Sequence, residues 1–239
     1  MFIKKMFGFF IKFFYPNRCM YCDKIIDPGL KVCNDCEKEI KTCSKTQILH
    51  IDENHESLCV SAFEYKDKIR DAILRFKFKN CKNYGEPFAE YMAMVLEENV
   101  DLKKYDYITS VPLSKQRKRE RGYNQSEIIA YKVSELLDIP YMNVLSKVKD
   151  NIPQHNLRKE EREQNVKGVY VVANKDNVKN KNILLFDDII TTGNTMIECS
   201  LVLYQSDANR VDCFALAYKG FKYAEKSKRS SNYVSKAEI

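Results

Sequence analysis

The segment of residues 183–195, ILLFDDIITTGNT, constrains the fold of this chain more than any other. Four apolar residues lead into two adjacent carboxylates, Asp187 and Asp188, and a tight loop follows before a helical pattern begins. A near-continuous apolar strand is typical of the buried centre of a parallel sheet. The segment therefore predicts an α/β fold with a ligand at the carboxyl end of this strand.

Strand and helix patterns alternate from residue 58 onward. Strands are predicted within 59–69, 105–112, 166–172, 182–188 and 210–218, and helices over 68–78, 86–100, 124–139 and 195–208. For the helix over 124–139, Asn124 or Ser126 is the expected cap. Alternation at this spacing predicts right-handed crossovers and a doubly wound, mostly parallel sheet.

The 239 residues are enough for one α/β domain and a small accessory module. We predict three regions. Residues 1–57 hold an apolar helix, a cysteine module and a polar connector over 45–57, residues 58–218 form the α/β domain, and residues 219–239 are a basic polar tail. No run of 18 apolar residues is present, and no signal-peptide cleavage site is evident, so we predict a cytoplasmic protein.

Four cysteines form two CxxC pairs, Cys19/Cys22 and Cys33/Cys36, ten residues apart. This number and spacing of thiolates is typical of a structural Cys₄ zinc ribbon in a reducing compartment. A redox CxxC motif is the weaker alternative, because it would not explain two copies. Cys43 is a spare ligand candidate, and a second metal near Cys43 and Cys59 is doubtful.

Residues 1–15 are apolar apart from three lysines, which a helix would place on one narrow face. We favour a helix packed on the body of the protein, because so short a helix needs a partner to be stable. The alternative is a cationic helix lying in a membrane interface, which would make the protein peripheral at the inner face of the membrane.

The loop after the apolar strand has the chemistry of an anion site. Backbone N–H groups, threonine hydroxyls and a helix N-terminus converge there, and a glycine lets an anion approach the backbone. The predicted phosphate loop consists of Thr191, Thr192, Gly193, Asn194 and Thr195. Asp187 and Asp188 would repel a phosphate, so they serve ribose hydroxyls or a ligand-bound cation. Together these parts describe a site for a ribose 5-phosphate.

Two further loops carry candidate binding residues. The basic loop over 111–125 would bind pyrophosphate or a nucleic-acid backbone through Lys115, Arg117, Arg119, Arg121, Tyr123, Asn124 and Gln125. Tyr123 is the best candidate for stacking on a base, and Phe76 and Phe78 beside Lys77 and Lys79 are weaker ones. The polar loop over 150–168 is a candidate lid, with Gln154, Leu157, Arg162 and Asn165 singled out.

The acid pair and loop of residues 186–195 resemble the ribose-phosphate motif of type I phosphoribosyltransferases. With RERGYNQ at 119–125 and the cysteine module, the chain resembles the ComF family over roughly residues 19–218. The resemblance implies that Asp187 and Asp188 hold ribose hydroxyls, that the loop holds the 5′-phosphate, and that the ligand is phosphoribosyl pyrophosphate (PRPP) with Mg²⁺.

The same resemblance implies a role in natural transformation, with single-stranded DNA and competence or recombination proteins as partners. The net charge of +7 suits phosphate ligands but does not decide between functions. Two alternatives stay open at this point. One is an active phosphoribosyltransferase acting on an unidentified base, and the other is a non-catalytic adaptor that senses PRPP.

Overall fold

The computed structural model describes residues 17–40, 44–148 and 168–220. Within these ranges the strands are β1 (Lys45–His50), β2 (Glu56–Glu64), β3 (Tyr107–Ser110), β4 (Leu145–Lys147), β5 (Tyr170–Val172), β6 (Asn182–Ile190) and β7 (Arg210–Tyr218). The helices are α1 (Asn34–Glu39), α2 (Asp67–Phe78), α3 (Gly85–Asn99), α4 (Lys115–Arg121), α5 (Gln125–Leu137) and α6 (Asn194–Tyr204).

Five strands form the main sheet in the order β1-β2-β7-β6-β3. Within this sheet β1 and β2 pair antiparallel and the other three pairings are parallel, whereas β4 and β5 form a separate antiparallel pair. All four residues of β3 are buried, as are seven of the nine in β7, as expected for strands of a parallel sheet that is covered on both faces. The expected doubly wound, mostly parallel sheet is confirmed.

The two faces of the sheet support two separate cores, because successive strand residues point to opposite sides. On β6, Leu184 and Phe186 pack into the core formed with α2, α3 and α5. Ile183 and Leu185 face the other core, which contains α6. The acids that follow on β6 are therefore supported by packing on both faces of the sheet.

The cysteine module packs directly against the first of these cores. Met20 and Tyr21 are 0% and 1% exposed, and the Tyr21 ring meets Phe88 of α3 edge to face. The Arg75 guanidinium on α2 donates to the carbonyl oxygens of Met20 and Tyr21 at 2.8 and 2.7 Å. The module is thus part of the main packing and not a tethered appendage.

The expectation of a connector over 45–57 is wrong, because this stretch forms β1 and the start of β2. Polar residues alternate along β1 because it is the edge strand of the sheet, with one face toward solvent. The Asp52 carboxylate accepts from the backbone N–H groups of Asn54 and His55, which closes the turn between the strands. Asp52 and Asn54 are typical turn residues and were a usable signal.

The basic segment is also not a loop, since Lys115–Arg121 forms helix α4. The Ser114 side chain caps its start by accepting from the backbone N–H of Arg117, and Gly122 ends it at a left-handed φ of 76°. Helices α2, α3, α5 and α6 match their predicted positions, although α6 already ends at Tyr204, and Asn124 is the cap of α5. The short helix α1 in the cysteine module was not predicted.

Several predictions lie outside the described residues: the helix over 1–15, Cys43, the lid candidates Gln154, Leu157, Arg162 and Asn165, and the tail beyond residue 220. Across the described ranges, no helix combines the length and the apolar character needed to cross a bilayer.

Candidate functional site

Asp187 and Asp188 lie near the carboxyl end of β6, at the side of the sheet where its parallel strands end. Asp187 accepts a hydrogen bond from the Ser126 hydroxyl at 3.0 Å and one from the backbone N–H of Asp188 at 2.8 Å. Asp188 accepts from the Lys77 ammonium at 2.8 Å, and both of these side chains are only 13% exposed. The acid pair is therefore held by groups from two different helices.

Burial, followed by the negative charge of Asp188, raises the pKa of Asp187 to about 7. Its folded-state pKa thus lies above the unfolded value, so ionisation of Asp187 opposes folding at neutral and alkaline pH. A ligand that donates hydroxyl groups or brings a cation to this carboxylate relieves that cost when it binds.

We expect Asp187→Asn to raise the melting temperature of the ligand-free protein by about 2–4 °C or more at about pH 8. Asparagine can still accept from Ser126 but carries no charge to desolvate. The buried charge of Asp187 destabilises the wild type less as the carboxylate takes up a proton. The difference in melting temperature between the two proteins should therefore shrink as the pH falls below about 7. Thermal unfolding scans of both proteins across this range check it, with Glu97→Gln as an exposed-acid control. A gap that does not change with pH would contradict the raised pKa.

The turn after β6 forms a small anion-sized recess. Residues 189–196 and Asp187 line it, and α6 begins at Asn194 directly behind the turn. Gly193 has a left-handed φ of 81°, and a β-carbon on it would lie 3.3 Å from Leu49. The first N–H groups of a helix have no partner within the helix, so this end of α6 attracts an anion. Residues 191–195 are thus together, next to the acids.

A cleft of about 930 Å³ opens over this turn and the acids. The basic helix α4 forms one side of it through Arg117, Arg119 and Arg121, whereas Lys115 is not among the lining residues. The end of α2 also lines the cleft, through Lys77 and Phe78, next to Arg121. Guanidinium groups in this position can donate pairs of N–H hydrogen bonds to phosphate oxygens.

Three predicted contact residues face the interior and not the cleft. Tyr123 is 5% exposed, and its hydroxyl donates to the carbonyl of Phe76. The Asn124 amide caps α5 and also donates to the carbonyl of Val111 at 3.0 Å. Gln125 is fully buried and accepts from Arg121 at 3.0 Å. A stacking role for Tyr123 is incompatible with this burial, and all three residues act by holding α4 and α5 in place.

Two residues that contact the acids have no sequence signal that assigns them to this site. Lys77 had been considered only as a neighbour of a weak stacking candidate, and Ser126 only as a helix cap. Both contact the acid pair although they lie 111 and 61 residues away in the chain. Neither has a local sequence signal, because the contacts arise when α2 and α5 pack against the sheet.

The four cysteines of the module come together as expected. Their Sγ atoms all lie within 4.8 Å of one another, and Cys22 and Cys33 are 3.7 Å apart. A tetrahedral zinc–thiolate site has sulfur–sulfur edges of about 3.8 Å, given Zn–S bonds of about 2.3 Å. The backbone N–H of Cys33 points at the Cys19 sulfur at 3.4 Å, as suits a thiolate. The donor set fits a structural metal.

Cys59 does not belong to this cluster. It is fully buried on β2, and its thiol contacts the Met196 sulfur in the core on the other face of the sheet. Burial raises the pKa of Cys59 to about 12, so it stays protonated as a small core residue.

A family model described as a phosphoribosyl transferase domain matches residues 82–237, more than half of the chain. The chain belongs to this family. Competence protein F of Haemophilus influenzae is 29% identical over 228 residues, covering 85% of this chain and 98% of that protein. Competence protein ComFC of Bacillus subtilis is 26% identical over 83% of this chain and 93% of its own length. The resemblance to the ComF family is therefore confirmed.

This family member is also similar to a DNA utilization protein and to a solved enzyme structure. DNA utilization protein YhgH of Salmonella typhimurium is 24% identical over 66% of this chain and 70% of that protein. Among solved structures, the allosteric regulatory enzyme of purine biosynthesis is 24% identical with a TM-score of 0.34. That likeness covers 57% of this chain, which spans about a quarter of the length of that enzyme.

Proposed function

We propose that this phosphoribosyltransferase-fold protein binds PRPP together with Mg²⁺ and single-stranded DNA, and acts in DNA uptake and natural transformation. The observation that carries the proposal is the juxtaposition of the acid pair with the turn over residues 191–195 at one edge of the sheet. The names of the competence and DNA utilization relatives support the cellular role.

In the proposed complex, the turn and the start of α6 hold the 5′-phosphate. The carboxylates of Asp187 and Asp188 accept hydrogen bonds from the ribose hydroxyls. Carboxylate oxygens are also the ligands that Mg²⁺ prefers, and the metal supplies charge neutralisation for the pyrophosphate. A carboxylate offers about four acceptor positions, so Asp188 can accept from Lys77 and from a hydroxyl together. Arg117, Arg119 and Arg121 lie on the side of the cleft suited to the pyrophosphate.

We also propose that the cysteine module holds one zinc ion with a structural role. All four thiolates would be metal ligands, which leaves no open position for catalysis. The backbone N–H of Cys33, which points at the Cys19 sulfur, favours the thiolate that a metal needs.

The test of the ligand proposal is a calorimetric titration of PRPP in the presence of Mg²⁺, with Mg²⁺ alone as reference. We expect saturable binding at one site per chain. If a folded, zinc-loaded protein showed no heat of binding beyond the heat of dilution, the proposal would be wrong. The fold would then serve another ligand.

Replacing Arg117, Arg119 and Arg121 by alanine should weaken binding of single-stranded DNA. Each lost phosphate contact is expected to lower the slope of log affinity against log salt by about 0.7, so the slope should fall by about 2. Fluorescence anisotropy of a labelled oligonucleotide across a salt series measures this.

A matched control removes three exposed lysines that precede the amino ends of β3 and β6, at the end of the sheet away from α4: Lys103, Lys175 and Lys179. It has the same change in net charge, so it separates a local contact from the general charge of the protein. Equal losses in both variants would show that α4 is not the DNA surface.

A further inference from the structure

Phe78 stands at the end of α2 with its aromatic side chain 62% exposed. Single exposed apolar residues are common on protein surfaces, so exposure alone carries no conclusion. This ring, however, lines the concave cleft that also contains Asp187 and Asp188. The residue before it, Lys77, contacts the Asp188 carboxylate directly.

One face of the Phe78 ring is already paired with a cation. The Arg121 guanidinium carbon lies 5.1 Å from the ring centroid, and Arg121 is held in turn by the Gln125 side chain at 3.0 Å. A guanidinium over an aromatic face is favourable but covers only that face. The large exposed fraction shows that much of the ring stays accessible from the cleft.

The turn of α2 that leads to Phe78 is held by the two residues before it. Phe76 is fully buried between Phe88 and Tyr123, and the Tyr123 hydroxyl donates to the Phe76 carbonyl. Lys77 is tied to Asp188, as described above. A rigid aromatic surface loses little conformational entropy when a planar ligand stacks on it.

We propose that Phe78, backed by Arg121, is a stacking platform for a nucleobase beside the sugar-phosphate site. Aromatic rings next to cations are the general means of holding bases of a single strand, since every base offers a π-face. The proposal rests on the proposed function, because the base would belong either to bound single-stranded DNA or to a free acceptor base next to PRPP.

The chain contains no tryptophan, which allows a direct test of stacking. Phe78→Trp creates a single tryptophan, whose fluorescence is quenched when a nucleobase stacks on it. Excitation at the red edge of the absorption band avoids the 15 tyrosines. The control is Tyr131→Trp, which places the probe at the other exposed aromatic of the described surface, 51% exposed on α5 and not among the cleft residues.

Three ligands are added to each variant: an oligothymidylate, an abasic oligonucleotide of equal length, and a panel of free nucleobases with PRPP and Mg²⁺. We expect saturable quenching of Phe78→Trp by at least one base-containing ligand, none by the abasic strand, and none in the control. Quenching by the oligothymidylate identifies a base of a strand. Quenching by a free base, or pyrophosphate release with it, identifies an acceptor base.

A second variant, Phe78→Ala, should lower the affinity for the quenching ligand by about 5- to 100-fold. For a strand, the salt slope should stay unchanged because no charge is lost, unlike in the arginine variants. The proposal is overturned if no base quenches Phe78→Trp, or if both probes respond equally. Calorimetry of PRPP on Phe78→Ala distinguishes a failure of this proposal from a failure of the proposed ligand site. Unchanged PRPP binding by this variant would support the ligand site even if no base stacks on Phe78.

Discussion

Replacing Asp187 and Asp188 together by asparagine is expected to weaken binding of PRPP with Mg²⁺ by about 100-fold or more. Hydrogen bonds from hydroxyl groups to a carboxylate contribute about 1.5–3 kcal/mol each, and the double variant loses the charged acceptor at two of them. A factor of ten in affinity corresponds to about 1.4 kcal/mol, so the two losses together give the expected effect.

An opposing effect must be weighed against this loss. The two acids repel the ligand phosphates, and removing them relieves that repulsion. At a separation of about 8 Å, each such charge pair costs about 0.5 kcal/mol in a water-like medium and about 2 kcal/mol at an effective dielectric constant of about 20. Mg²⁺ bound with the pyrophosphate would neutralise part of the phosphate charge, so the direct hydrogen bonds dominate and the net sign is a loss of affinity.

The matched control for this experiment is Glu97→Gln with Glu98→Gln. These neighbouring acids are exposed near the end of α3 that leads toward β3, so they are remote from the carboxyl ends of the strands. The control removes the same charge. Calorimetry should show unchanged affinity in the control and lost affinity in the site variant. Unchanged or tighter binding by the site variant would remove the acids from the proposed ribose site.

Removing the metal from the cysteine module is expected to lower the melting temperature by about 10 °C or more. Met20 and Tyr21 lie between Cys19 and Cys22, two of the proposed zinc ligands, and fill part of the main core. Burying a side chain of this size contributes about 1.5–3 kcal/mol, and about 1 kcal/mol corresponds to roughly 2–4 °C for a chain of this length. Loss of the module would also deprive Arg75 of its two carbonyl acceptors.

Two routes test this prediction independently. A chelator should lower the melting temperature under reducing conditions, and Cys36→Ser should do the same while abolishing the bound zinc seen by native mass spectrometry. Cys81→Ser is the control, because Cys81 lies outside the four-cysteine cluster. We expect one zinc per chain. A protein that carries no metal and tolerates the chelator would refute the zinc proposal, and sensitivity to reductant would point to disulfides.

The secondary structure around the site was largely predictable because its signals are local. The apolar run of β6, the acid pair and the glycine-containing turn are contiguous in the chain, and Gly193 adopts the left-handed φ that the turn needs. The cysteine spacing likewise predicted a cluster that the structure brings together. The polar strand β1 was missed, because it exposes one face to solvent and its alternating polar residues resemble a loop.

Contact residues were predicted less well than elements. In the sequence, Gly122, Tyr123 and the amides beside the arginines resembled recognition chemistry. In the structure, Gly122 ends α4 and the chain turns inward, so that Tyr123 packs on Phe76. The exposed aromatic residue of the cleft is instead Phe78, which has a weaker sequence signal for stacking than Tyr123.

Local patterns in the chain were enough to predict the fold class, the turn next to the two acids and the four-cysteine cluster, because each depends on residues that are close in sequence. Which side chains contact the acids depends instead on the tertiary packing. Lys77 and Ser126 reach Asp188 and Asp187 because α2 and α5 pack on the same face of the sheet. Packing of that kind depends on the summed burial of many distant residues, which no local pattern encodes.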